Sequence, residues 1–393
     1  MDFLQRAKEL EEELVKQRRF LHQHPEIGME VPVATQYVME RLREFGYEPQ
    51  ELPHGGVTAQ VGQGKHCILL RADMDALPMQ EESGLPYASQ IPGKAHTCGH
   101  DMHTSMLLGA ARMLKEREAE LQGVVKLMFQ PGEETNQGAR SMIKDGILEH
   151  PHVDAALAMH MIPMVPTGVI AYTKGTAAAS NDILRITVKG KGGHGAHPGQ
   201  TIDPINVGAH IHIALQELLS RELAPEESAV LTFGTFHAGT KENIIPSEAV
   251  LTGTLRTYKQ EVREFLLERI GDMVQYTAKT FRAEAEMEVL SSVPPLTSDG
   301  AVVDAISAGW KKILPEKMVL ELDRRMSGSE DFAEVSQRVP SMCFVLGGGT
   351  PQQGCCYGVH HPKLRYDEAC LPVGAAAYAQ GAMAWLEQAK QGE

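Results

Sequence analysis

Short apolar runs in the first part of the chain end in side chains able to do chemistry. ILLRADMD (68–75) delivers Asp73 and Asp75, VVKLMFQPGEE (124–134) delivers Glu133 and Glu134, and DAALAMH (154–160) delivers His160. Each run has strand length, and longer segments lie around and between them. Residues 3–23 place Phe3, Leu4, Leu10, Leu14 and Val15 near helical spacing, and 33–45 and 103–121 also read as helices. Strands alternating with helices predict an α/β fold with a central sheet. In such sheets ligands bind beyond the carboxyl ends of the strands, where these acidic and imidazole groups fall.

The middle of the chain has a different rhythm. Residues 182–192, 229–239, 247–257 and 283–295 read as strands, and 202–223 and 259–281 as helices. The order β-α-β-β-α-β is that of a ferredoxin-like unit, inserted into the first domain. After Pro295 the earlier pattern resumes, ending in a helix from Leu371 to about Ala389.

Composition excludes several classes. A net charge of −14 argues against a nucleic-acid partner, which needs a basic surface. No apolar run reaches the length of a membrane span, so no membrane association is expected. The opening MDFLQRAKELEEELVKQRRF is charged and helix-periodic, without the apolar core of a secretory signal. Six cysteines in 393 residues show no disulfide-framework spacing, and a cytoplasmic setting is expected.

HTCGHDMH (96–103) concentrates candidate metal donors. Cys98 and His100 sit two apart around Gly99, so both can face one point from a tight loop, and a thiolate suits zinc-like ions. Asp101 is a candidate to orient a ligand histidine through a hydrogen bond, and His103 is a second such candidate at the start of the next helix. The paired Glu133 and Glu134 can divide two tasks, one carboxylate binding metal and the other acting as general base. The plainer alternative for that pair is a solvated acidic helix start. A lone histidine such as His160 is more often a satisfied core residue than a ligand, and the His360–His361 pair before proline is weak by itself. His194 stands among glycines in GKGGHGAHPG, which lacks the phosphate-loop pattern.

Taken in order, RADMDALPMQE, HTCGHDMHTSMLLGAA, QPGEE with GARSMIKDG, MH, GKGGHGAHPG with IDPI, NIIP, GSEDF and HHP resemble the dinuclear-metal amidohydrolases and metallopeptidases. They are most similar to the branch of hippurate hydrolases, N-acyl-amino-acid amidohydrolases and auxin-conjugate hydrolases. The resemblance spans essentially the whole chain. It implies a metallopeptidase-like catalytic domain over 1–181 and 297–393, with a mixed central sheet and helices on both faces. It also implies that 182–296 form a ferredoxin-like α+β lid and dimerisation domain. The implied ligands of two divalent cations (manganese or zinc, with cobalt a third option) are Cys98, His100, Glu134, His160 and His360. Glu133 would be the general base, and His194 would polarise the scissile carbonyl from a partner subunit. Asn243 in NIIP and Arg256 in TLRT match substrate-binding positions.

The implied reaction is hydrolysis of an N-acyl amino acid to a carboxylic acid and a free amino acid, in a homodimer or homotetramer. A metallo-carboxypeptidase or dipeptidase, or an N-acetyl-diaminopimelate deacetylase, fits the same motifs. Three positions depart from the pattern. Asp73 stands where the wider family has histidine, Gly132 where the branch has alanine, and Gly199 where it has histidine. A purely structural metal protein would have no use for the spare carboxylate of Glu133. A redox protein built on Cys355 and Cys356 leaves the histidines and glutamates unexplained.

Overall fold

The computed structural model describes residues 2–391. The chain divides into two compact units, one comprising Met1–Ala177, Thr297–Arg324 and Asp331–Glu393, the other Ala178–Leu296 and Arg325–Glu330.

The first unit is built on an eight-stranded sheet. Its strands run, edge to edge, Gln50–Glu51, Val57–Gly62, Val124–Gln130, Cys67–Asp73, Ala155–Ile162, Ser341–Gly347, Ile170–Tyr172 and Val319–Glu321. The four from Val124–Gln130 to Ser341–Gly347 are mutually parallel, so their carboxyl ends share one edge. Antiparallel pairs flank them, which makes the sheet mixed. Cys67–Asp73 and Val124–Gln130 are buried at every residue, which explains their continuous apolar runs. Helix Leu371–Gln391 packs against His100–Glu116, Gly300–Trp310 and Phe3–Glu9. Its Tyr378 is buried, and the hydroxyl donates to Arg71 O at 2.6 Å. Its Ala377 carbonyl accepts from Trp310 Nε1 at 2.8 Å, so both large aromatic residues have their polar tips satisfied.

Two helices differ from expectation. The N-terminal segment forms Phe3–Glu9 and Glu11–Gln23, interrupted at Leu10, whose φ of −91° and ψ of 0° leave helical geometry. The helix expected at 103 begins at His100, because Gly99 takes φ 105° and turns the chain into the first turn early. Only glycine adopts that backbone without strain, and a Cβ there would meet Tyr366 at 2.9 Å.

The second unit has an antiparallel four-stranded sheet in the order Ala229–Ala238, Glu248–Thr257, Asn181–Lys189, Glu284–Val293. With helices Pro204–Glu217 and Gln260–Thr280 this is the ferredoxin-like arrangement. Strand Asn181–Lys189 alternates in burial, with Leu184, Ile186 and Val188 inward. Helix Gln260–Thr280 buries Val262, Leu266, Ile270, Val274 and Ala278, a stripe four residues apart. The sequence assigned 325–330 to the catalytic domain, but these residues lie in the second unit. There Ser327 O accepts from Arg256 Nη1 at 3.2 Å, and the Arg325 guanidinium lies 5.0 Å from the Tyr258 ring centre. Among the described residues no helix is long and apolar enough to cross a membrane.

Candidate metal centre

The carboxyl edge of the parallel strands gathers the predicted donors of the first unit. Asp75, just past strand Cys67–Asp73, organises two of the loops. Its carboxylate accepts from the amides of Glu133 at 3.0 Å and Glu134 at 3.2 Å, and its carbonyl lies 2.8 Å from His100 Nδ1. A carbonyl only accepts, so His100 carries a proton on Nδ1 and turns Nε2 inward. His160 repeats the device, with Nδ1 2.7 Å from Met161 O and Nε2 3.3 Å from Cys98 Sγ.

His103 lies beside these donors, its ligand atom within 4.8 Å of those of Asp73 and His100, but its ring nitrogens are engaged elsewhere. Its Nδ1 pairs with Asp73 Oδ1 at 2.6 Å, and its Nε2 accepts from Met161 N at 2.8 Å, so both ring nitrogens are used. It braces the strand end that carries His160. Asp73 itself is held by Arg71 Nη1 at 2.7 Å.

The Asp101 expectation needs correction, because this carboxylate orients no ligand histidine. It accepts from Arg18 Nε at 2.7 Å and pairs with His22 Nδ1 at 2.7 Å, both buried. The helix starting at His100 points Asp101 away from the His100 face. Burial alone would raise its pKa, but Arg18 and His22 outweigh burial and hold it well below the usual carboxylate range. A depressed folded pKa contributes stability above the unfolded pKa of about 3.9, lost as pH falls below it. Asp101→Ala leaves Arg18 buried without its main partner and is expected to cost about 3–5 kcal/mol, measured by denaturant unfolding.

Donor atoms of Cys98, His100 and His160 lie within 4.8 Å of one another, as do those of Cys98, Glu134 and His360, and those of His100, Glu133 and Glu134. Cys98 belongs to two of these groups, so its sulfur stands between two sets of donors. Burial pushes the Cys98 thiol well above its ordinary pKa, and a thiolate there needs cations beside it. His100 Nε2 is buried with no hydrogen-bond partner. An orphaned polar atom is costly, and a cation would satisfy it. The residues fit a pair of divalent ions.

His360 lies on the exposed side, its Nε2 3.3 Å from Glu134 Oε1. Its backbone takes φ 62°, uncommon for histidine, and its amide donates to Thr97 O at 2.6 Å, tying this loop to the Cys98 loop. Glu133 is 8% exposed, with Oε2 3.9 Å from His100 Nε2 and Oε1 accepting from Asp331 N at 3.4 Å.

The other three predicted site residues lie in the second unit. His194 sits on strand Gly193–His194, paired antiparallel with Ile244–Ile245, and Gly195 N donates to Asn243 O at 2.9 Å, so this two-stranded ladder brings His194 and Asn243 together. Ala196 N donates to His194 Nδ1 at 3.0 Å. Arg256 lies on strand Glu248–Thr257 and is not on that ladder. The cluster of Arg71, Gln130 and Asp331 under the Glu133 turn was not expected from the sequence. Its one visible signal was a buried arginine inside an apolar strand, which requires a partner.

A model of the peptidase family M20/M25/M40 matches residues 69–384. The chain is 35% identical over 382 residues to an N-acetylcysteine deacetylase of Bacillus subtilis (strain 168), covering 96% of this chain and 98% of the relative. It is 36% identical over 382 residues to thermostable carboxypeptidase 2 of Saccharolobus solfataricus, covering 95% of each. A crystal structure from Bacillus subtilis, described as a dinuclear metal binding peptidase from the M20 family, superposes with a TM-score of 0.83. It is 32% identical, over 97% of this chain and 99% of that one.

Proposed function

We propose a function from one settled premise: the chain belongs to peptidase family M20/M25/M40. It is a metal-dependent amidohydrolase, and its substrates are N-acyl amino acids, cleaved to a carboxylic acid and a free amino acid. The observation that carries this reading is the spare carboxylate. Cys98, His100, Glu134, His160 and His360 suffice to hold two cations, and Glu133 stands beside His100 as a further acidic group. A closed structural site has no place for it.

The cations, when bound, would act as Lewis acids on the substrate carbonyl and lower the pKa of the attacking water. Glu133 Oε2 takes the proton of that water as its oxygen bonds to the carbonyl carbon. The C–N bond then breaks, and Glu133 returns the proton to the leaving nitrogen. His194 stabilises the developing oxyanion for a partner subunit, which makes the working form a homodimer or homotetramer. Asn243 and Arg256 bind the substrate, and the Arg256 guanidinium suits its carboxylate. The second unit serves as lid and dimerisation domain.

Manganese or zinc is the native ion in this reading, with cobalt a competent substitute. The thiolate favours zinc, and metal supply decides between them. The six cysteines are all free, consistent with a cytoplasmic setting.

The relation to a carboxypeptidase supports a second reading, with dipeptides as substrates. Free-amine release from acetyl- and benzoyl-amino acids and from dipeptides, assayed side by side, separates the two. Faster turnover of the acylated amino acids is expected; release from dipeptides alone would move the chain to the peptidases.

A further inference from the structure

Asp331 is a buried carboxylate, 1% exposed, to which the chemistry above gives no task. Its Oδ1 accepts from Arg71 Nη2 at 2.9 Å and Gln130 Nε2 at 2.7 Å. Its Oδ2 accepts from the same Gln130 nitrogen at 2.8 Å and from Ala139 N at 3.0 Å. These anchors are rigid. Arg71 and Gln130 lie on neighbouring parallel strands and are joined to each other, Arg71 Nε donating to Gln130 Oε1 at 2.9 Å. Ala139 lies in helix Gly138–Lys144, directly after the turn that carries Glu133.

A buried carboxylate is expensive unless its oxygens are satisfied, and a satisfied network fixes its members in place. What the network fixes here is the peptide amide of Asp331, which donates to Glu133 Oε1 at 3.4 Å. With Oε1 engaged, Oε2 is the oxygen that faces His100 Nε2, at 3.9 Å.

We propose that Asp331 is a positioning residue for Glu133: its locked carboxylate holds the Asp331 amide against Oε1, so that Oε2 is presented to the metal-ligand cluster. The inference rests on Glu133 being the general base. Asp331 touches neither substrate nor metal ligand in this role; it acts through the aim of the base.

The test uses metal-loaded Asp331→Asn. Its kcat should fall roughly 10- to 100-fold, the scale of a misplaced catalytic group, while KM and metal content stay at wild-type values. Gln130→Met removes two of the contacts to Asp331 and should give a smaller loss of the same kind. In a Glu133→Gln background, Asp331→Asn should cause no further loss, because the base it aims is gone.

Unchanged kcat in Asp331→Asn overturns the proposal. So does loss of bound metal, and so does a full additional loss on top of Glu133→Gln, which marks a merely structural role. If Asp331→Asn does not fold, unchanged kcat in Gln130→Met overturns it instead. A fully active Glu133→Gln overturns the general-base reading and this one together. An inactive Glu133→Gln beside an unimpaired Asp331→Asn overturns this one alone.

Discussion

Glu133→Gln is expected to keep its full complement of metal while kcat falls roughly 10²- to 10⁴-fold, the range that general acid–base catalysis supplies. Glutamine is isosteric with glutamate and can still accept from the Asp331 amide through its carbonyl oxygen. The surroundings of the side chain therefore survive, and only the capacity to take and return a proton is lost. The neighbouring Glu134 offers no substitute. Its donor oxygen lies within 4.8 Å of those of Cys98 and His360, and it is already assigned to the proposed ligand set. Metal analysis beside steady-state kinetics checks both halves. Wild-type kcat would remove Glu133 from the mechanism, and loss of metal would move it into the ligand set.

Cys98→Ala is expected to act the other way, on metal first and rate as a consequence. Cys98 Sγ is a donor shared by two of the candidate ligand groups, so its loss should weaken both positions. Loss of a supporting partner of a ligand costs about 10- to 100-fold in metal affinity, and loss of a shared ligand should exceed that. Metal content after dialysis against a weak chelator is the readout, and unchanged occupancy would exclude the thiolate as a ligand. Burial raises the thiol pKa, so metal binding must displace the thiol proton. Wild-type metal affinity should therefore rise with pH, and the Cys98→Ala variant should show a shallower dependence.

Much of this site was legible in the sequence because one physical fact places it. Parallel strands are buried on both faces and read as apolar runs, so the first titratable residues after each run mark the sheet edge where ligands bind. Asp73, Asp75, Glu133, Glu134 and His160 announce themselves in this way. The ferredoxin-like unit was legible from the change between period-2 and helical spacing. The short strands Gln50–Glu51, Ile170–Tyr172 and Val319–Glu321 were not, being too short to show any period.

Partnerships across long separations were also invisible. Arg71 and Asp331 are 260 positions apart, and Arg18 and Asp101 are 83 apart. Periodicity reports which face a residue occupies; it does not report which distant group it meets. Asp101 shows the consequence. Beside His100 in sequence it looked like the partner of a ligand, yet the early helix start at Gly99 turns it to Arg18 and His22. His103 erred less, since it does brace the site, through Asp73 and the Met161 amide. Residues 325–330 pack in the second unit for a related reason, because continuity of chain does not report continuity of packing.

The most direct test of the account is metal dependence of amide hydrolysis in the intact chain. The protein is stripped with chelator, titrated with zinc, manganese or cobalt, and assayed for amine release from an N-acetyl or N-benzoyl amino acid. Activity absent from the stripped protein, and rising until two equivalents of metal per chain are bound, is the predicted result. Undiminished hydrolysis by metal-free protein, or a fully loaded protein that releases no amine from any acyl-amino acid or dipeptide, would contradict it.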